Sequence, residues 1–119
     1  MEPYSATVLA IDRMENMPNG GHVEKSARQA AASFIWTLRN RRLPVPDVGP
    51  SPDGGVAMAW TFKTPEGELE IDAIFLDWAR VEYREGFSER DGFLREAIID
   101  EAALIERLFH AIDSTQHVA

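Results

Sequence analysis

Glu68, Glu70 and Asp72 recur at every second position, so an extended backbone sets all three carboxylates on one side. Two carboxylates a few ångströms apart, one of them held protonated, can run acid–base hydrolysis. The same spacing also describes a solvated strand face, and Arg80 and Arg84 fall on what reads as the neighbouring strand. A charge ladder is the simpler expectation. Other chemistry is thinner. His22, His110 and His117 are dispersed, with no companion at metal-ligand spacing. Ser5, Ser26, Ser33, Ser51, Ser88 and Ser114 lack the context of a nucleophile elbow. Gly54-Gly55 is followed by no Lys-Ser/Thr pair that would make a phosphate loop. The chain has no cysteine, which removes disulfides, thiol chemistry and zinc–thiolate sites. Neither a catalytic set nor a metal site nor a cofactor is expected.

The elements that position the carboxylates are organised by residues 43–62. Pro44, Pro46, Pro50 and Pro52 stiffen an extended connection over residues 43–55, and Asp53-Gly54-Gly55 is a turn signal. Val56, Met58, Trp60 and Phe62 then alternate with Ala57, Ala59, Thr61 and Lys63, the period of a half-buried strand. A turn over Thr64-Pro65-Glu66-Gly67 leads into a second strand, with Leu69, Ile71, Ala73 and Phe75 on one side and Glu68, Glu70 and Asp72 on the other.

Directly opposed residues share a face, which fixes the register. Lys63 is expected opposite Glu68, Trp60 opposite Ile71, and Met58 opposite Ala73. A loop of Asp77, Trp78 and Ala79 sets Phe75 opposite Val81, Ala73 opposite Tyr83, and Asp72 opposite Arg84. A loop one residue shorter would mix the faces. The outer face is expected to carry Ala57, Ala59, Thr61, Glu70, Asp72, Ile74, Glu82 and Arg84.

Before the sheet, Val23, Ala27, Ala30, Ala31, Phe34, Ile35 and Leu38 recur at helical spacing and predict a helix over residues 23–41. Trp36 lies at the margin of that stripe. Arg39, Arg41 and Arg42 sit where cations complement the C-terminal end of the helix dipole. Residues 1–21 stay open between a short helix capped by Ser5 and a short strand, ending at Met17-Pro18-Asn19-Gly20-Gly21. Beyond the turn signal Asp91-Gly92, residues 93–99 read as a fourth strand, with the start of a long helix as the alternative, since Leu94 and Ile98 extend the last apolar stripe backwards. Asp100 is a fit N-cap for a helix over residues 100–113 carrying Leu104, Ile105, Leu108, Phe109 and Ile112. The expected fold is α+β in two layers: an N-terminal helix, a three- or four-stranded antiparallel meander, and a C-terminal helix on one sheet face.

At 119 residues the chain is one domain, and its 45% apolar and 27% charged composition is that of a soluble globular protein. No apolar run reaches the ~20 residues of a membrane helix, and the first residues lack the pattern of a signal peptide. A cytoplasmic location and no membrane partner are expected. The net charge of −8 is lopsided. Residues 1–60 hold six acids and six bases, whereas residues 61–119 hold fourteen acids and six bases. That distribution argues against direct nucleic-acid binding, which needs clustered cations.

Ala31, Phe34 and Leu38, then Pro44 and Pro46, then Pro50, Pro52, Asp53, Gly54, Gly55 and Trp60 form a pattern. Over residues 25–85 it resembles a group of small, uncharacterised bacterial and phage proteins with Pro-x-Pro, Pro-x-Pro-Asp-Gly-Gly, an apolar strand and a Trp. Many members carry Asn-Trp-Asp-Gly before the helix, where this chain has Asn19-Gly20-Gly21. The resemblance implies no activity, and its genomic context is that of mobile elements and small accessory operons.

The resulting expectation is a small acidic, non-enzymatic module that binds another protein bearing a basic surface, such as an antitoxin, an immunity factor or a phage inhibitor of a defence complex. Glu68, Glu70, Asp72 and Glu82 would meet the partner, together with Trp78, a large aromatic at a hairpin tip. The alternatives are a small-molecule binder or enzyme with a pocket between helix and sheet, and a homodimer or other self-associating subunit pairing through a sheet edge.

Overall fold

A computed structural model of the chain describes residues 2–15, 23–78, 80–87 and 94–116. His22, Ala79, Ser88, Phe93, His117, Asp91-Gly92 and the Asn19-Gly20-Gly21 breaker lie outside the described residues. Helix α1 (Pro3–Asp12) and a 3₁₀ turn (Arg13–Glu15) precede helix α2 (Lys25–Asn40). Five strands follow: β1 (Asp47–Pro50), β2 (Val56–Thr64), β3 (Gly67–Phe75), β4 (Val81–Phe87) and β5 (Arg95–Ile99). Helix α3 (Glu101–Gln116) closes the chain. The strands form one antiparallel sheet in chain order.

The α+β meander is as expected, but with five strands rather than three or four. The extra strand lies inside the proline-rich connection, where Asp47, Val48, Gly49 and Pro50 pair with Ala59, Met58, Ala57 and Val56. Proline lacks the N–H for a central ladder but is tolerated on an edge, and β1 is an edge strand. Val48 points to the helix side opposite Met58, while Asp47 and Gly49 share the face of Ala59 and Ala57. Residues 95–99 are strand, and Asp100 caps α3 through its carboxylate, which accepts from the Ala103 N–H at 2.8 Å.

The register follows side-chain alternation closely. Lys63 opposes Glu68, Trp60 opposes Ile71, Asp72 opposes Arg84 and Phe75 opposes Val81. The first hairpin is tighter than the four-residue turn expected, because Thr64 and Gly67 pair and leave only Pro65 and Glu66 in the loop. Gly67 supports this with a φ of 126°, a conformation costly for other residues.

The helices contact the sheet in a single layer, α1 over β1, α2 over β2 and β3, and α3 over β2. Alanines 27, 30 and 31 are fully buried on α2 and let it sit close to the sheet. Phe34 then reaches Phe75 with ring centroids 5.0 Å apart and meets Trp60 edge-on at 6.5 Å.

Three details depart from the sequence reading. Ser5 lies inside α1 rather than capping it, because Pro3 suits the first helical turn, where its missing N–H has no partner to lose. Phe109, expected on the α3 stripe, is 44% exposed. The buried line runs through Leu104, Leu108 and Ala111, and Phe109 falls ~130° from its centre. Leu94 and Ile98, 61% and 56% exposed, do not extend that stripe.

Candidate functional site

No described helix lies on the second face of the sheet, and its side chains come from alternate positions of all five strands. Two cross-sheet rows define its centre. One runs Gly49, Ala57, Ile74, Glu82, Ile98, and the next runs Asp47, Ala59, Asp72, Arg84, Glu96. At Gly49, Ala57 and Ala59 the side chains end at or before Cβ, so the floor is low there. The result is a depression of about 330 Å³, whose lining includes Gly49, Ala57, Ala59 and Ile74 with Asp47, Asp72, Glu82 and Arg84.

The charge around this floor is one-sided. Among the described strand residues, Asp47, Glu68, Glu70, Asp72, Glu82 and Glu96 share the face with Lys63 and Arg84, six carboxylates against two cations. Asp72 occupies the middle of the sheet. Burial raises its carboxyl above the ordinary value, the charge of Glu70 pushes the same way, and Arg84 opposes both. Ionising Asp72 thus carries a desolvation cost that Arg84 offsets only in part, and an incoming cation would offset it further.

Of the residues singled out from sequence, the fold brings Glu70, Asp72 and Glu82 together around the centre of the face. Glu68 stands further along β3, opposite Lys63 at the first hairpin. Trp78 is 55% exposed in the β3–β4 turn. Glu68 and Phe75 are separated by six residues of β3, ~24 Å of extended chain, so Trp78 and Glu68 belong to opposite ends of the sheet. Asp47 and Glu96 were not singled out. Asp47 was hidden in a segment read as a connection, and Glu96 in a segment divided between strand and helix.

A second concavity lies between the sheet and α3, lined by Leu69, Ile71, Tyr83, Glu85, Arg95, Arg107, His110 and Ala111. It measures about 150 Å³, below the roughly 300–1,000 Å³ of small-molecule sites. Its polar groups are engaged with one another. Arg95 Nε lies 3.4 Å from Glu85 Oε1, and the Arg107 guanidinium lies 5.9 Å from the centre of the Tyr83 ring. Burial first, then the charge and hydrogen bond of Glu85, raise the Tyr83 hydroxyl above its ordinary value, with Arg95 opposing. Tyr83 is thus a neutral structural donor.

The chain matches no family model, no curated protein and no solved structure. Among the described residues no three His, Asp or Glu side chains are grouped to hold a metal ion. No described helix is long and apolar enough to cross a membrane.

Proposed function

We propose that this chain is a non-enzymatic protein-binding module whose open sheet face receives a basic surface of another protein. The observation that carries the reading is the face itself: an apolar floor lined by Asp47, Asp72, Glu82 and Arg84, on a sheet face whose described strand residues carry six carboxylates and two cations and that no described helix covers. Like-signed rims of this kind steer oppositely charged partners and reject others, and they act chiefly on association rate and specificity. An antitoxin, immunity factor or inhibitor of a defence complex whose target has a basic working surface would use such a face, and the proposed role is of that class. The packing of the described helices against the sheet lies on the opposite side, which supports an open binding face here.

The test is capture from host lysate with the full chain and with Asp72→Lys/Glu82→Lys. The expected result is a partner retained at low salt, released at moderate salt, and lost by the charge-reversed variant at either salt. A partner held equally by both chains would remove the open face from the account. Thermal melts of the two chains establish that the variant is folded.

A further inference from the structure

We infer that the element seated on this face is an amphipathic helix with Lys or Arg on both flanks of its apolar stripe, lying over Gly49, Ala57, Ala59 and Ile74. The inference rests on the binding role proposed above and names the occupant. Three considerations select it.

The first is shape. The depression lies between Asp47 on β1 and Glu82 and Arg84 on β4. Three strand spacings make ~14 Å between those walls, and a helix with its side chains is ~10–12 Å across. The low floor at Gly49, Ala57 and Ala59 admits the apolar side chains of such a helix. The molecule already uses this device on its other face, where Ala27, Ala30 and Ala31 bring α2 down onto the sheet.

The second is charge. Asp47 stands on one side of the floor and Glu82 on the other, with Asp72 between them on β3 and Glu70 and Glu96 further out. Cations on both edges of an apolar stripe meet carboxylates on both edges of an apolar floor. A second copy of this chain would bring six carboxylates and two cations onto the same set, which like-charge repulsion opposes.

The third is hydrogen bonding. A sheet face offers side chains but no free backbone groups, because the ladder hydrogen bonds lie in the sheet plane. An extended segment gains its affinity by adding to an edge instead. A helix satisfies its own backbone and needs only the side-chain contacts the face provides.

The experiment titrates the ¹⁵N-labelled full chain with three capped 14-residue peptides. One places Leu and Lys at helical spacing, one alternates Leu and Lys as a strand, and one places Leu and Glu at helical spacing. The expected result is saturable shifts of the Gly49, Ala57, Ala59 and Ile74 amides with the Leu/Lys helix alone. Raising the floor with Ala57→Gln/Ala59→Gln is expected to weaken that binding at least ~10-fold, about the loss of one well-made contact, without lowering the melting temperature. Shifts confined to residues 95–99 with the alternating peptide would overturn the helix in favour of strand addition at β5. Concentration-dependent shifts without peptide would overturn it in favour of a second copy. Equal response to the Leu/Glu helix would overturn the charge argument. If no peptide binds while lysate capture still depends on Asp72 and Glu82, the helical occupant is wrong and the binding face stands. If that dependence is also absent, both fall.

Discussion

The indole N–H of Trp60 donates to the carbonyl of Pro44 at 2.9 Å, joining the middle of β2 to the start of the proline-rich connection sixteen residues upstream. Trp60 is 3% exposed while Pro44 is exposed, so the bond lies at the boundary between the core and solvent. Proline supplies an acceptor and no donor, and the segment leading to β1 is held by it. The bond therefore fixes where the edge strand begins, and with it the position of Asp47 on the open face.

Trp60→Phe removes the donor while keeping an aromatic ring near Phe34. The expected cost is about 0.5–1.5 kcal/mol, the net worth of a hydrogen bond whose acceptor can turn to water, with the ring-volume change adding to it. Urea unfolding reads the total. Amide shifts at residues 47–50 read the local consequence, and unaltered shifts there would show that β1 does not depend on the indole.

Arg42 offers a gain. It adopts a φ of 56° just past the end of α2, with Leu43 N–H donating to Leu38 O at 2.9 Å and Arg42 N–H to Arg39 O at 3.1 Å. This is the double hydrogen bond that closes a helix through a left-handed residue. Glycine occupies that conformation without the Cβ clash. Arg42→Gly is expected to stabilise by about 1 kcal/mol, less the small dipole contribution of the arginine, seen as a higher denaturation midpoint with an unchanged slope.

Asp72 gives the pH dependence. Its carboxyl is raised from an ordinary value of 3.8 by burial and by Glu70, against Arg84. The native state then holds the proton more tightly than the unfolded chain, so stability falls as pH rises from about 3.8 through the raised value. Asp72→Asn lacks this decline. Melts of both chains between acid and neutral pH are expected to diverge across that window in favour of the variant and then run parallel. A partner cation reverses the sign, and affinity is expected to grow as pH rises through the same range.

Much of the fold was legible in the chain because alternation carries register. Trp60 opposite Ile71 and Asp72 opposite Arg84 follow from matching apolar and polar faces across turns of known length. Strand β1 was not legible, because a proline at its end and glycine at its centre carry the signature of a loop, and only pairing with β2 makes it a strand. Phe109 was misplaced for a related reason: on a helix the buried line is chosen by the surface it meets, not by the helix alone.

By itself, then, the sequence determined the two-layer plan, the hairpin register, and the clustering of Glu70, Asp72 and Glu82 on one face, since each depends on periodicity within short stretches. Tertiary structure alone decided that Gly49, Ala57 and Ala59 form one floor and that Asp47 and Glu96 join its border. Those residues come from β1, β2 and β5, and no local period records which distant side chains a closing sheet will set side by side.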